Sequence, residues 1–235
     1  MTKVLNDLFD YGLKIYQDDE VFKFSLDSIL LAEFVNVKLR DKNILDLCTG
    51  NAPIPLILST KTKAKIDGME IQKYIYDLGV LSVKENNCEK QIKLINDDIK
   101  NHTKYFPGNI FDIITCNPPY FKCNETSLLN SSMSKAIARH EIKINLCDII
   151  KIVNKLLKEN GYFYISYRVE RLEELIDLLK ENNLQIKRIQ FVYSNQKSES
   201  ELVLLETVKN GKQGLKVMPP IFINEYKSYQ SIFEE

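Results

Sequence analysis

The chain has 235 residues, 44% of them hydrophobic and 27% charged, and its 32 basic side chains balance 32 acidic ones. Those are the proportions of a globular protein, and a chain of this length buries roughly 70–75% of the surface its unfolded form exposes. A net charge of zero excludes a polyanion partner held by the field of the whole molecule, so any such partner needs a local basic patch. The five cysteines, Cys48, Cys88, Cys116, Cys123 and Cys147, include no Cys-x-x-Cys pair. That argues against a disulfide framework or a zinc knuckle, predicts no metal, and fits a reducing cytosol. No apolar run reaches the ~18 residues of a membrane span. The opening "MTKVLNDLFDYG" carries acids and no apolar core, unlike a signal peptide.

Residues 1–42 stand as an extension, in which "FKFSLDSILLAEFV" (22–35) predicts a helix capped by Asp27 or Ser25. Strand and helix patterns then alternate. "NILDLC" (43–48) is a buried strand, and "IPLILST" (54–60) a helix with Pro53 and Pro55 in its first turn, where missing donors cost little. "AKIDGME" (64–70), "QIKLIN" (91–96) and "IFDIITC" (110–116) are further strands, with a helix at 74–87 between the first two. A long polar connection follows at 121–145, of a length that usually carries function. "LCDIIKIVNKLLKEN" (146–160) is an amphipathic helix that Gly161 should close. Next come a strand at 162–168, a helix at 169–182, and strands at 185–194 and 200–208. No helix fits between the last two strands, so they should pair antiparallel. The expectation is one domain over 1–235: an open, mostly parallel α/β sheet with helices on both faces and a C-terminal antiparallel hairpin.

Ligands of such sheets sit beyond the carboxyl ends of the strands. The first turn, "DLCTGNAPIP", has Gly50 and Asn51, but Cys48 and Ala52 stand where a dinucleotide fingerprint has glycines, and no P-loop lysine is present. NAD and ATP are thereby disfavoured. Glu70 ends the second strand, where a carboxylate can accept both hydroxyls of a ribose. Asp98, after the third strand, suits an adenine amino group, and Asp46 either orients the turn or meets an amino acid's ammonium. A nucleoside with a cationic amino-acid tail and no pyrophosphate answers that description, and S-adenosylmethionine is such a molecule.

The fourth strand runs into Asn117, Pro118, Pro119 and Tyr120. The prolines remove two donors but keep their carbonyls, and Pro118 biases Asn117 toward an extended shape. The Asn117 side-chain oxygen and the Pro118 carbonyl then form a rim of acceptors able to grip the two N–H groups of an exocyclic amine. Tyr120 offers a ring for stacking on the base, worth ~1–3 kcal/mol in single-strand recognition. Such a grip favours a tetrahedral nitrogen, whose lone pair can attack a methyl held in line.

These blocks resemble the class I, Rossmann-like amino-methyltransferases that use S-adenosylmethionine. With "FKFSLDSILLAEF", "NPPYF", "IARHE" (137–141) and "YRVERLEEL" (167–175), the chain from about Val21 to Pro220 looks like the bacterial tRNA valine adenine-37 N6-methyltransferases. The resemblance implies a seven-stranded sheet and methylation of the adenosine next to the anticodon. It implies that Asn117, Pro118, Pro119 and Tyr120 hold the target base. It also implies cofactor contacts from Asp46, Gly50, Asn51, Glu70, Asp98 and Asn117, with Phe22, Phe24, Ser25 and Asp27 closing from the N-terminal side. Substrate contacts are expected of Tyr120, Phe121, Lys135, Arg139, His140, Arg168 and Arg171, the basic ones toward phosphates of the anticodon stem-loop, the alternative being that Arg139 pairs with Glu141 to cap the following helix and His140 is structural. Lysines of the tail "KNGKQGLK" (209–216) are weaker candidates for the same role. No obligate protein partner is expected.

Three rivals share features. A protein glutamine N5-methyltransferase acting on a release factor uses the same grip, but typically carries a longer helical N-terminal domain. A DNA adenine methyltransferase needs extra mass to flip a duplex base. An RNA chaperone without catalysis has no use for a primed nitrogen acceptor.

Overall fold

The structure, a computed structural model, describes residues 3–8, 11–18, 25–118 and 145–225. Its main sheet is built from β3 (Asn43–Leu47), β4 (Lys65–Glu70), β5 (Ile92–Asn96), β6 (Phe111–Cys116), β7 (Leu157–Arg168), β8 (Leu184–Tyr193) and β9 (Ser200–Lys209). Two short strands, β10 (Lys216–Val217) and β11 (Ile221–Phe222), add in parallel to the outer edge of β8. The spatial order is β10-β8-β9-β7-β6-β3-β4-β5, with β11 also on β8. Strands β3 to β7 run parallel, and β9 is antiparallel to both β7 and β8. The seven expected strands and the terminal antiparallel pair are thus present, and the two edge strands are additional.

Side chains alternate across a strand, and here each set meets its own helical layer. Leu45, Leu47 and Ile114 face a core shared with α4 (Leu146–Leu156) and α5 (Leu172–Glu181). Ile44, Ile113 and Tyr164 face a core shared with α1 (Leu26–Phe34) and α2 (Pro53–Lys61). Helix α4 forms because Leu146, Ile149, Ile150, Val153 and Leu156 repeat at three- and four-residue spacing and are all buried, and Asn145 caps it by accepting the Asp148 amide at 2.8 Å. It stops at Leu156, five residues before the expected glycine. The left-handed residue is Asn160 (φ 59°), inside the irregular start of β7. Buried Lys209 covers the end of α4, donating to the Asn154 carbonyl at 2.6 Å and the Leu157 carbonyl at 3.0 Å. That removes Lys209 from the set of surface cations expected in the tail.

The N-terminal segment contains a hairpin that the sequence pattern did not reveal, β1 (Lys3–Asp7) with β2 (Lys14–Asp18). It lies along α3 (Lys73–Glu85): the Tyr16 amide donates to Ser82 Oγ at 2.9 Å, and the Lys14 amide to Asn86 Oδ1 at 2.9 Å. Helix α1 is fixed to the sheet by Arg188, which donates to the Phe34 carbonyl at 2.8 Å, lies over the Phe34 ring and pairs with Glu206. Among the described residues no helix is long and apolar enough to cross a membrane.

Candidate active site

The carboxyl ends of β3, β4, β6 and β7 meet at one rim. Register fixes who stands beside whom: Asp46 lies between Gly68 on β4 and Thr115 on β6, and Cys116 is opposite Ile165 on β7. Because the side-chain period is two, Asp46, Thr115, Asn117 and Ser166 all fall on the face that α1 and α2 cover.

The turn after β3 is held from three sides. The Thr49 amide donates to the Met69 carbonyl at 2.9 Å, the Gly50 amide to Glu70 Oε2 at 3.0 Å, and the Asn51 side-chain amide to the Tyr16 carbonyl of the hairpin at 2.8 Å. Cys48 (φ 57°), Gly50 (φ 59°) and Ala52 (φ 71°) are left-handed. The turn thus keeps a glycine-like path where two residues are not glycine, at a cost of about 1–2 kcal/mol each, the kind of strain that gathers at ligand sites. Helix α3 approaches closely because Gly79 faces the turn: a Cβ there would meet the Gly50 oxygen and Asn51 carbonyl carbon at 3.3 Å.

Glu70 is buried, and its second oxygen accepts the Gln72 amide at 2.8 Å. Burial pushes its carboxyl up, against the opposing pull of the Gln72, Gly50 and Ile71 amides. Asp46 is fully buried. Desolvation pushes it up to about 7, with the Thr115 and Thr49 hydroxyls opposing and the charge of Glu70 adding. Oδ1 of Asp46 accepts from Thr115 at 2.6 Å, while Oδ2, Asn51 Oδ1 and the Thr49 hydroxyl complete no hydrogen bond among the described residues. Buried polar atoms are rarely left so. Asp46 Oδ2 and Asn51 Oδ1 can each take a donor, and the Thr49 hydroxyl can serve either way.

Asp98 is half-buried and caps a short 3₁₀ turn (Ile99–Lys104), accepting the Lys100 amide at 2.9 Å. Its neighbour Asp97 takes the contacts of Asn101, Tyr105 and Lys104 and lies at about 2, lowered first by the Asn101 and Tyr105 hydrogen bonds.

At the tip of β6 the Asn117 amide nitrogen donates to Ser25 Oγ at 3.2 Å and Ser28 Oγ at 2.8 Å, and Ser166 donates to Asn117 Oδ1 at 2.7 Å. Ser25 is the N-cap residue of α1 but makes no side-chain capping bond. Its hydroxyl meets Asn117 instead, which corrects the expected capping role. Asp27 lies in the first helical turn. Arg168 reaches Glu201 at 3.5 Å, and Arg171 forms a two-pronged pair with Glu174 at 3.0 and 3.1 Å, so a phosphate would have to displace these carboxylates. Pro118 follows Asn117 within the described residues, whereas Phe22, Phe24, Pro119, Tyr120, Phe121, Lys135, Arg139 and His140 lie outside them. Thr115, Ser28 and Ser166 were not singled out by the sequence; only the strand register brings them to the site.

An open sheet of this order, with one reversed strand between β7 and β8 and its polar site at the carboxyl rim, is the Rossmann-like class I methyltransferase fold. A family model described as a methyltransferase domain matches residues 38–224, and the chain belongs to that family. Curated relatives include the tRNA1(Val) (adenine(37)-N6)-methyltransferase of Cytophaga hutchinsonii, 26% identical over 182 residues (77% of this chain, 75% of that one). The protein of the same name from Flavobacterium psychrophilum is 23% identical over 219 residues (90% and 92%). Among solved structures, one described as a predicted O-methyltransferase from Agrobacterium tumefaciens superposes with a TM-score of 0.67 at 16% identity, over 87% of this chain and 90% of that one. TYW2 of P. horikoshii, solved in complex with MeSAdo, gives 0.62 at 16% identity, over 89% and 72%.

Proposed function

We propose that this protein transfers the methyl group of S-adenosylmethionine to N6 of adenosine 37 in tRNA1(Val), acting on the anticodon stem-loop in the cytoplasm without an obligate protein partner. The observation that carries the reading is the placement of Asn117, with its amide held by three hydroxyls, at the tip of the strand next to β3 and its acceptor-lined turn. Relatives named tRNA1(Val) (adenine(37)-N6)-methyltransferase align over three quarters or more of the chain.

The residues present fit the cofactor. Two buried acceptors without partners among the described residues, Asp46 Oδ2 and Asn51 Oδ1, suit the ammonium of its methionine half. Glu70 suits its ribose, and Asp98 its adenine amino group. When bound, S-adenosylmethionine supplies a methyl group on a cationic sulfur.

The chain supplies alignment and fixed dipoles. Asn117 Oδ1 and the Pro118 carbonyl accept the two hydrogens of the adenine amino group, which disfavours its planar form and frees the nitrogen lone pair. Asn117 is fixed before substrate arrives, so its dipole costs no reorganisation in the transition state. Tyr120 stacks on the base, and Arg168 and Arg171 meet the backbone phosphates. No general base is needed, because the methylated nitrogen sheds its proton readily.

The test is direct. Purified protein, S-adenosylmethionine and unmodified tRNA1(Val) transcript are incubated, and the tRNA is digested to nucleosides for mass spectrometry. N6-methyladenosine that disappears when adenosine 37 is replaced by guanosine supports the reading. Unmodified tRNA with methylated release factor overturns it.

A further inference from the structure

We propose that Ser28 and Ser166 are positioning residues for the methyl transfer: together they hold the Asn117 amide in one plane and one orientation for the incoming amino group. The proposal rests on the reading of the site as an adenine N6-methyltransferase.

The terminal torsion of an asparagine is broad and roughly two-fold, so an unrestrained amide samples a wide range of planes. Here it is gripped from opposite elements. Ser28 comes from α1, about 90 residues upstream in the chain, and accepts from Nδ2 at 2.8 Å. Ser166 comes from β7, the strand beside β6, and donates to Oδ1 at 2.7 Å. Ser25 adds a longer contact to Nδ2 at 3.2 Å. Both amide hydrogens are thus directed at serine oxygens of α1, and the oxygen is turned toward β7. A carbonyl oxygen has two lone pairs, and the Ser166 contact takes one and turns Oδ1 toward β7.

Both serines sit where an apolar residue would otherwise be expected. Ser166 is 0% exposed and Ser28 7% exposed. A buried hydroxyl without a partner costs about 1–3 kcal/mol, and each of these has Asn117 as a partner. The chemistry is sensitive to that grip, because a displacement of about 1 Å in a reacting group costs on the order of 100-fold in rate.

The experiment compares the wild type with Ser28→Ala, Ser166→Ala and Ser166→Thr, which keeps the hydroxyl. Turnover, KM for tRNA, the Kd for S-adenosylmethionine and the thermal midpoint are measured for each. The expected result is a kcat on the order of 10–100-fold lower in both alanine variants, with cofactor Kd, KM and midpoint close to wild type. Ser166→Thr should recover part of the loss. Alanine variants with wild-type kcat, or with losses that follow lost folding or lost cofactor binding, overturn the proposal while leaving the methyltransferase reading intact. A wild type that folds and binds the cofactor yet leaves adenosine 37 unmethylated overturns both.

Discussion

The Thr115 hydroxyl lies 2.6 Å from Asp46 Oδ1, one strand away, and donates to it. The hydrogen bond favours the charged carboxylate, yet desolvation outweighs it, and Asp46 ends at about 7. Titration is therefore expected near neutral pH, beside the turn after β3. A cationic ammonium prefers the ionised form, so affinity for S-adenosylmethionine should rise between about pH 6 and pH 8, with proton release on binding. Calorimetry in buffers of different ionisation enthalpy reads both effects, and Asp46→Asn should weaken binding and flatten the pH dependence. The ligand-free protein should show the opposite trend in stability. A carboxyl raised from 3.8 to about 7 keeps its proton when folded and loses it when unfolded across that window. Its contribution is fully present below the unfolded value and is lost as pH rises through the folded one.

Asn117→Ala removes both an amide grip and the acceptor at the strand tip. Turnover should fall by ~100–1000-fold, the scale of losing one preorganised dipole at a reacting centre. Binding of S-adenosylmethionine, followed by calorimetry, should survive. Equal loss of binding and turnover would show that Asn117 acts on the cofactor rather than on the base.

Gly79→Ala tests how closely α3 must approach the turn. Helix propensity alone favours alanine by about 1 kcal/mol. The added methyl would meet Leu94 Cδ1 at 2.9 Å and the backbone of Gly50 and Asn51 at 3.3 Å. Backbone cannot swing away as a side chain can, so a net destabilisation of about 1–2 kcal/mol in urea is expected, with a several-fold loss of cofactor affinity. Val80→Ala, at an exposed position of the same helix, should change affinity little.

Glu206→Ala should loosen α1. It leaves the Arg188 guanidinium, only about a quarter exposed, without its carboxylate partner while that arginine still anchors the Phe34 carbonyl. Removing one member of a largely buried pair costs about 2–4 kcal/mol, measurable by urea denaturation. Because α1 carries Ser28, turnover should fall before the protein unfolds.

The main strands were legible because β3 and β6 are near-continuous apolar runs and the others, though more polar, keep apolar residues between turn signals. The end of α4 was misplaced because Asn160, not Gly161, takes the left-handed conformation. The N-terminal hairpin escaped notice because "KVLND" and "KIYQD" are largely polar. Its attachment comes from Ser82 and Asn86, some 70 residues away, which no local pattern encodes. Asp46, Glu70 and Asn117 could be picked out because each lies within a residue of a strand's end. Ser28, Thr115 and Ser166 could not, since a hydroxyl inside a helix or strand carries no signal until register says what lies beside it.

That same register limits how the protein can vary. Asp46, Thr115, Asn117 and Ser166 look the same way only because their strands keep odd and even positions in step. Deleting one residue from within Phe111–Cys116 would swing Asn117 toward the α4 layer, away from the serines that hold it, even with every side chain of the motif still present. Length changes are therefore least tolerable within β6, which must keep its parity.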